Sequence, residues 1–327
     1  MRIIFLGSPK EVLAPLRALM AMKEHELLAV VSQPAKPQGR KRQLKDPFVA
    51  SFAKEHQIKV FQPESAKDPD FLSELRALTP DLMVTAAYGQ ILTEEFLAIP
   101  KRGTINLHPS LLPRYRGATP VQTALLNGDT KTGMSILFTV KKLDAGALIL
   151  SKEAQIKEHE TTKDLLTRMF TLGAEMLPLA LDLLKDPGFK GSPQDEAGVV
   201  HCAKIQKTDG AIDWRKSAFS LYCRFRAFDP WPGSYAMLQG RRVVILGLGL
   251  DSGLDSGLAA HDKMAPKRNP GSFVFNKAAK ALEVACGEDG AQTLCITRVK
   301  PAGGKEQDAA AFFNGLKLDG KGQFDGI

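Results

Sequence analysis

Short apolar runs alternate with amphipathic ones along the first half of the chain, and this alternation restricts the fold more than any other feature. Ile3 to Leu6 has the pattern of a buried strand. Ser8-Pro9 then caps a helix whose apolar positions Val12, Leu13, Leu16, Leu19 and Met20 keep helical spacing. Leu27 to Val31 reads as a strand, the stretch after Asp46 with Val49, Phe52 and Ala53 as a helix, and Lys59 to Phe61 as a third strand. A helix over about 68–78 and a strand at Leu82 to Ala86 follow. Strands separated by helices pair in parallel, so the expectation is an α/β fold: a Rossmann-like, mostly parallel sheet with helices on both faces. Ligands of such sheets bind outside the carboxyl ends of the strands, where Ser32, Tyr88 and the Asn106 to His108 segment would lie. Gly7-Ser8-Pro9 stands where a dinucleotide fold carries Gly-x-Gly-x-x-Gly, which disfavours a dinucleotide site.

Thr132 to Thr139 and Ala147 to Ile156 read as two further strands flanking Asp144. Thr161-Thr162-Lys163-Asp164 opens a long helix with a capping pattern, and the helix ends near Asp186-Pro187-Gly188. Beyond it the composition turns to Gly, Ser, Pro, Lys and Asp. At 327 residues the chain exceeds one ordinary domain, and the predicted division is 1–188, a linker at 189–209, and 210–327. Short runs at Val243 to Leu246, Gly271 to Phe275, Leu282 to Ala285 and Thr293 to Val299, spaced by turn residues, predict a small barrel or sandwich in the second part. Asp-Ser-Gly-Leu occurs twice in tandem within 251–258, and reads as a flexible insertion without inferred function.

With 44% hydrophobic and 24% charged residues the chain can bury proper cores. No apolar run approaches the roughly 20 residues that span a bilayer, and the amino terminus lacks a leader pattern. A soluble, unprocessed cytoplasmic protein acting as a monomer is expected. Cys202, Cys223, Cys286 and Cys295 form no Cys-x-x-Cys pair and have no His at zinc spacing, so reduced thiols and no metal are expected. The net charge is +8, and Lys36, Arg40, Lys41, Arg42 and Lys45 fall in one window without an acid. Its Pro and Gly exclude a regular helix or central strand. The residues alone leave a solvated loop and a nucleic-acid contact both open.

Asn106 and His108 lie two apart at the end of an apolar run, so an extended backbone points them the same way. Asp144 follows the next apolar run. Amide, imidazole and carboxylate together suit acyl-group transfer, which needs donors for a developing oxyanion and a group to manage protons. Asn106 and a ring N–H of His108 can serve as the donors, with Asp144 orienting or charging the imidazole and helping to remove the amine's proton. Nothing resembles a nucleophile elbow, so direct transfer without an acyl-enzyme is expected.

This constellation, with the loop Pro109-Ser110-Leu111-Leu112-Pro113-Arg114-Tyr115-Arg116-Gly117, resembles the active site of the folate-dependent formyltransferases. Met1 to Pro9, Gln33-Pro34 through Arg42, Phe61-Gln62-Pro63 and Ala87 to Leu92 fit the same family. So do Asp213-Trp214, Arg226-Ala227-Phe228-Asp229-Pro230-Trp231-Pro232-Gly233 and Pro301 to Lys305, which extends the resemblance over nearly the whole chain. Within the family it is nearest the branch whose acceptor is a charged tRNA. It implies a catalytic domain over 1–188 with a basic insertion at 34–46, and an OB-like tRNA-binding barrel over 210–327. The implied reaction moves formyl from 10-formyltetrahydrofolate to the amino group of initiator methionyl-tRNA, for translation initiation. Implied catalytic residues are Asn106, His108 and Asp144. Implied folate-binding residues are Tyr88, Gly89, Gln90, Ile91 and Leu92 with Ser110, Leu111, Leu112 and Pro113. Implied tRNA contacts are Lys36, Arg40, Lys41, Arg42, Lys45, Arg114, Arg116, Lys204 and Lys207, although Arg114, Arg116 and Gly117 could instead anchor the loop.

One departure is Lys141-Lys142 with Ala145, where the family often has acidic or small residues and Thr; Asp144 and Gly146 remain. The same catalytic core also serves enzymes that formylate glycinamide ribonucleotide or an amino sugar. The insertion and the second domain discriminate against both. A catalytically idle RNA-binding module is the alternative from another class, and the intact Asn106, His108 and Asp144 argue against it.

Overall fold

The computed structural model describes residues 1–39, 42–250, 267–316 and 321–326. From the amino end the chain runs β1 (Arg2–Gly7), α1 (Leu13–Ala21), β2 (Glu26–Val31), a hairpin of β3 (Lys36–Gln38) and β4 (Gln43–Lys45), α2 (Phe48–Glu55) and β5 (Val60–Phe61). Next come α3 (Pro69–Ala77), β6 (Leu82–Ala86), α4 (Glu94–Leu97), β7 (Thr104–His108), β8 (Arg114–Arg116), α5 (Pro120–Leu126), β9 (Lys131–Phe138), β10 (Leu148–Gln155), α6 (Thr162–Leu183) and β11 (Val200–His201).

The expected alternation becomes a seven-stranded sheet in the order β10-β9-β7-β6-β1-β2-β5. It is parallel from β5 to β7, with β9 antiparallel to β7 and β10 antiparallel to β9. Ile3 to Leu6 are buried on both faces of β1, as an uninterrupted apolar strand requires. On one face Ile4, Leu6, Ala29, Val31 and Met83 pack with Phe71, Leu72 and Leu75 of α3 and Phe96 of α4. Asp68 caps α3 by accepting from Phe71 N at 2.9 Å, with Pro69 next in the chain.

Chain direction reverses between β1 and β6: the chain first builds outward to β5, then returns to the other side of β1. The crevice of such a sheet lies at that reversal. Ser8 sits there and does not cap the first helix. Its hydroxyl donates to the Tyr88 carbonyl (3.2 Å) and accepts from Gln33 N (3.1 Å), which ties the ends of β1, β2 and β6 together.

The chain forms two compact units, the first built from Met1–Pro120, Lys131–Gln155 and Leu165–Cys202. The stretch 189–209 reads as loose linker from composition. In the structure Ser192 exchanges backbone bonds with Leu148 (2.8 and 2.7 Å), and β11 lies parallel to β8. Backbone pairing, not apolar burial, organises this stretch, so hydropathy gave no sign of it.

The second unit comprises 121–130, 156–164 and 203 onward. Its elements are α7 (Ala218–Ala227), β12 (Ser234–Leu238), β13 (Arg241–Leu250), β14 (Ser272–Asn276), β15 (Ala281–Cys286), β16 (Gln292–Pro301), β17 (Gln307–Asp308), α8 (Ala309–Gly315) and β18 (Lys321–Gln323). The antiparallel sheet runs β12-β13-β16-β15-β14-β18 and curls, so that Asp325 N, just past β18, donates to the Met237 carbonyl of β12 at 2.8 Å. Its core holds Phe273, Leu282, Val284, Leu294, Ile296 and Val299, with Trp214 stacked on Phe324. The sheet is a curled half-barrel: of the barrel or sandwich that the four short runs predict it is the former, and it agrees with the OB-like barrel that the resemblance implies. The tandem repeat at 251–258 lies outside the described residues.

No described helix is long and apolar enough to cross a membrane.

Candidate active site

β7 carries Asn106 and His108 to its carboxyl end on one face, as the two-residue spacing predicts. Asp144 reaches them because β9 runs back antiparallel along β7, with Ser135 opposite His108 and Leu137 opposite Asn106. The loop after β9 then returns: Thr139 N donates to the Thr104 carbonyl at 2.7 Å. Asn106 Nδ2 donates to Asp144 Oδ1 at 3.3 Å, and His108 Nδ1 lies 3.7 Å from Asp144 Oδ2. Both side chains of the His-Asp pair are close to fully buried.

The tautomer of His108 follows from its partners. Nε2 is 2.9 Å from the Tyr115 carbonyl, which can only accept, so the ring proton sits on Nε2. Nδ1 then carries the lone pair and faces the carboxylate. A neutral His108 therefore has no N–H left for an oxyanion, contrary to the expectation from sequence. Asn106 keeps such a donor, since its amide has a second N–H beyond the one that reaches Asp144.

Burial holds the His108 pKa below the ordinary imidazole value of 6.5; the Asp144 charge and the Tyr115 carbonyl oppose that shift. The unfolded chain takes up this proton near 6.5 and the folded chain only at lower pH. The contribution of His108 to stability is thus fully present above 6.5 and is lost as pH falls through the folded value. An NMR titration of the ring should give a midpoint below 6.5, and lower still in Asp144→Asn. A midpoint above 6.5 would remove His108 as a neutral base.

Asp144 is held as firmly as His108. Gly117 N donates to its Oδ2 at 2.8 Å, and Asp144 itself adopts a left-handed backbone, φ 49°. Gly117 has φ 124°, a conformation that suits glycine, and a Cβ there would press on Cys202. Gly117 thus anchors the loop to the carboxylate through its own N–H.

Ser110 Oγ donates to the Arg114 carbonyl (2.7 Å), and Leu112 N donates to Ser135 Oγ (3.2 Å). These bonds pin the Ser110 to Pro113 loop to β9. Leu112 is buried, and Leu111 lies against Gly133 of β9, so Leu111 packs on the sheet as well as bordering the site. In the 88–92 segment, also expected to border folate, the Tyr88 ring is buried in the core, and burial pushes its hydroxyl pKa up to about 12. Gln90 is committed to Ala66 N (2.6 Å) and the Pro63 carbonyl (3.0 Å). Gly89 is exposed, Ile91 is 83% exposed and Leu92 half-buried.

Among the basic residues, Lys36 and Lys45 sit opposite each other on the β3–β4 hairpin, and Arg42 is exposed in its turn. Arg40 and Lys41 lie outside the described residues. Lys204 and Lys207 are exposed in the second unit. Arg114 is exposed and donates to the Tyr115 hydroxyl at 2.8 Å. Arg116 differs from expectation. It is 0% exposed, and its guanidinium donates to Gln194 Oε1 (3.1 and 2.9 Å) and Glu196 Oε1 (2.8 Å), which removes it from any meeting with phosphate. Gln194 and Glu196 were not visible in the sequence as site residues, since they stand in a polar run with no distinguishing spacing. Among the described residues no group of His, Cys, Asp and Glu could hold a metal ion.

Residues 1–181 match the formyl transferase family, and 204–317 match the formyl transferase C-terminal domain. The chain is 41% identical over 321 residues to the methionyl-tRNA formyltransferase of Methylococcus capsulatus, covering 98% of this chain and 99% of that relative. It is 38% identical to the methionyl-tRNA formyltransferase of Anaeromyxobacter dehalogenans, covering 97% of each. Among solved structures, HypX from Aquifex aeolicus in complex with tetrahydrofolic acid aligns with TM-score 0.63 at 17% identity, over 98% of this chain and 50% of that one. An N-formyltransferase from Helicobacter canadensis aligns with TM-score 0.64 at 15% identity, over 90% and 98%. At these identities the structural likeness concerns the fold.

Proposed function

Because the chain belongs to the formyl transferase family, we propose that it transfers a formyl group from 10-formyltetrahydrofolate to the amino group of methionine on initiator methionyl-tRNA. The observation that carries the chemistry is the buried cluster of Asn106, His108 and Asp144 at the carboxyl end of β7. The neutral amine attacks the formyl carbon. The carbonyl oxygen, as it becomes an oxyanion, takes the free amide N–H of Asn106. His108 Nδ1 accepts the proton that the nitrogen sheds, and the imidazolium so formed is stabilised by the adjacent Asp144 carboxylate. Collapse of the tetrahedral intermediate breaks the bond to the folate nitrogen, which leaves with the proton that His108 Nδ1 gives up, so the imidazole returns to its neutral form. No acyl-enzyme is involved.

The folate is assigned to the crevice at the strand reversal, with the exposed backbone at Gly89, the Ile91 side chain and the Ser110 to Pro113 loop as its border. The tRNA is assigned to the basic hairpin, with Arg40 and Lys41 beside it in sequence, and to Arg114, Lys204 and Lys207. On the hairpin Lys36 stands directly across from Lys45, a like-charge pair worth roughly 0.2–1 kcal/mol of repulsion that a polyanion would relieve. Leu44 beside them is 70% exposed.

The deciding experiment offers methionyl-tRNA, glycinamide ribonucleotide and a 4-amino sugar separately with the formyl donor; formylation of either small acceptor in preference to the tRNA would end this reading. For the hairpin, Arg42→Ala with Lys45→Ala should raise the KM for methionyl-tRNA and leave the folate KM unchanged. Each lost phosphate contact should flatten the log–log salt slope by about 0.7–0.9. An unchanged slope would return the hairpin to a solvated surface.

A further inference from the structure

Gln194 lies outside every motif that points to the site, yet the nitrogen of its carboxamide is spent entirely on the loop that carries Asp144. Nε2 donates to the Asp144 carbonyl at 2.8 Å and to the Gly146 carbonyl at 2.7 Å. Oε1 accepts two bonds from Arg116. The orientation of the amide is fixed by chemistry, since a guanidinium can only donate and the two carbonyls can only accept. Arg116 in turn is buried and shares its Nη2 with Glu196, whose second oxygen accepts from Lys142 Nζ at 2.9 Å. These two cations hold the Glu196 carboxyl down to about 2. Lys142, Asp144 and Gly146 of one loop are thus strapped to Gln194 and Glu196. The next residue after Arg116, Gly117, supplies the N–H that the Asp144 carboxylate accepts.

We propose that Gln194 is a positioning residue for formyl transfer. It holds the left-handed backbone of Asp144 so that the carboxylate stays within reach of both Asn106 and His108, and Arg116 sets the direction in which Gln194 donates. Neither Gln194 nor Arg116 is among the groups assigned to folate or to tRNA, so losing the strap should act on turnover more than on either KM. This rests on the catalytic reading above.

The test uses the full-length chain with methionyl-tRNA and 10-formyltetrahydrofolate in single-turnover assays of Gln194→Met, Gln194→Glu, Asp144→Asn and the double variant Gln194→Met with Asp144→Asn. Misplacing a catalytic group by about 1 Å costs on the order of 10²-fold, so Gln194→Met should lose roughly 10- to 100-fold in kcat with both KM values within about twofold. Gln194→Glu keeps the acceptor for Arg116 but turns a carboxylate oxygen toward two carbonyl oxygens, and should be slower than Gln194→Met. Adding Gln194→Met to Asp144→Asn should cost little further, because the strap acts through Asp144. A wild-type kcat in Gln194→Met, a fully additive double variant, or loss of folding by both Gln194 variants would overturn the proposal. A wild-type rate in Asp144→Asn alone would instead overturn the site reading beneath it.

Discussion

Asn106→Ala, His108→Ala and Asp144→Asn should each lower the single-turnover rate of formyl transfer by about 10²- to 10⁴-fold, the range of a lost proton acceptor or oxyanion donor in a water-poor site. The three act on one tetrahedral intermediate, so combining two losses should cost much less than their product. The effects differ outside the chemistry. Asp144→Asn retains an oxygen that can accept from Gly117 N, so its melting temperature should stay near that of the parent. His108→Ala removes the imidazole bond to the Tyr115 carbonyl, which also accepts from the Cys202 thiol at 3.2 Å. A lost hydrogen bond costs about 0.5–1.5 kcal/mol and the emptied volume of a buried ring adds to it, so this variant should melt measurably earlier while keeping its circular dichroism spectrum. If two of the three variants are folded and retain near-parental rates, the residues are misassigned.

Gly146→Ala should be the most damaging single methyl group in the catalytic loop. A Cβ built at Gly146 falls on the carbonyl oxygen of Phe138, at the end of β9, and neither backbone can rotate out of the way as a flexible side chain could. Overpacking of this kind typically costs about 1–3 kcal/mol, and relief requires the loop to move away from β9. That movement carries Asp144, two residues earlier, away from Asn106 and His108. A rate loss on the order of 10²-fold should accompany the lower melting temperature. Thermal melts and single-turnover rates on the same preparation check both parts. A parental rate would show that the loop tolerates displacement, and would remove close backbone packing from the account of how Asp144 is placed.

The family resemblance read from the sequence was correct, and so was the order of elements in the first half. The reason is that each rests on local information. Apolar runs at Ile3 to Leu6 and Leu82 to Ala86 announce buried strands, and the two-residue spacing of Asn106 and His108 announces a shared face. The four short runs of the second half became β13 to β16, because period and turn residues are local properties too. The helix α7 and the strand β12 are not announced by such runs; they flank the Arg226 to Gly233 motif, and α7 places Arg226 on its buried side.

What the sequence could not determine is what depends on contacts between distant segments. Ser8 resembles a helix cap beside Pro9, but a crevice shared with Tyr88 and Gln33 gives its hydroxyl better partners. Arg116 resembles a phosphate contact, since a guanidinium in a loop looks exposed until Gln194 and Glu196, 78 and 80 residues away, close on it. The tautomer of His108 depends on which carbonyl Tyr115 turns toward it, and the reach of Asp144 on the antiparallel return of β9 along β7. The sequence by itself determined the fold class and the family, and it singled out three side chains that the structure brings together. The tertiary structure decided which nitrogen of His108 is basic, why Asp144 stays in place, and that Arg116 is buried while Arg114 is exposed, because hydrogen-bond partners are chosen by proximity in space and leave no period or spacing in the chain.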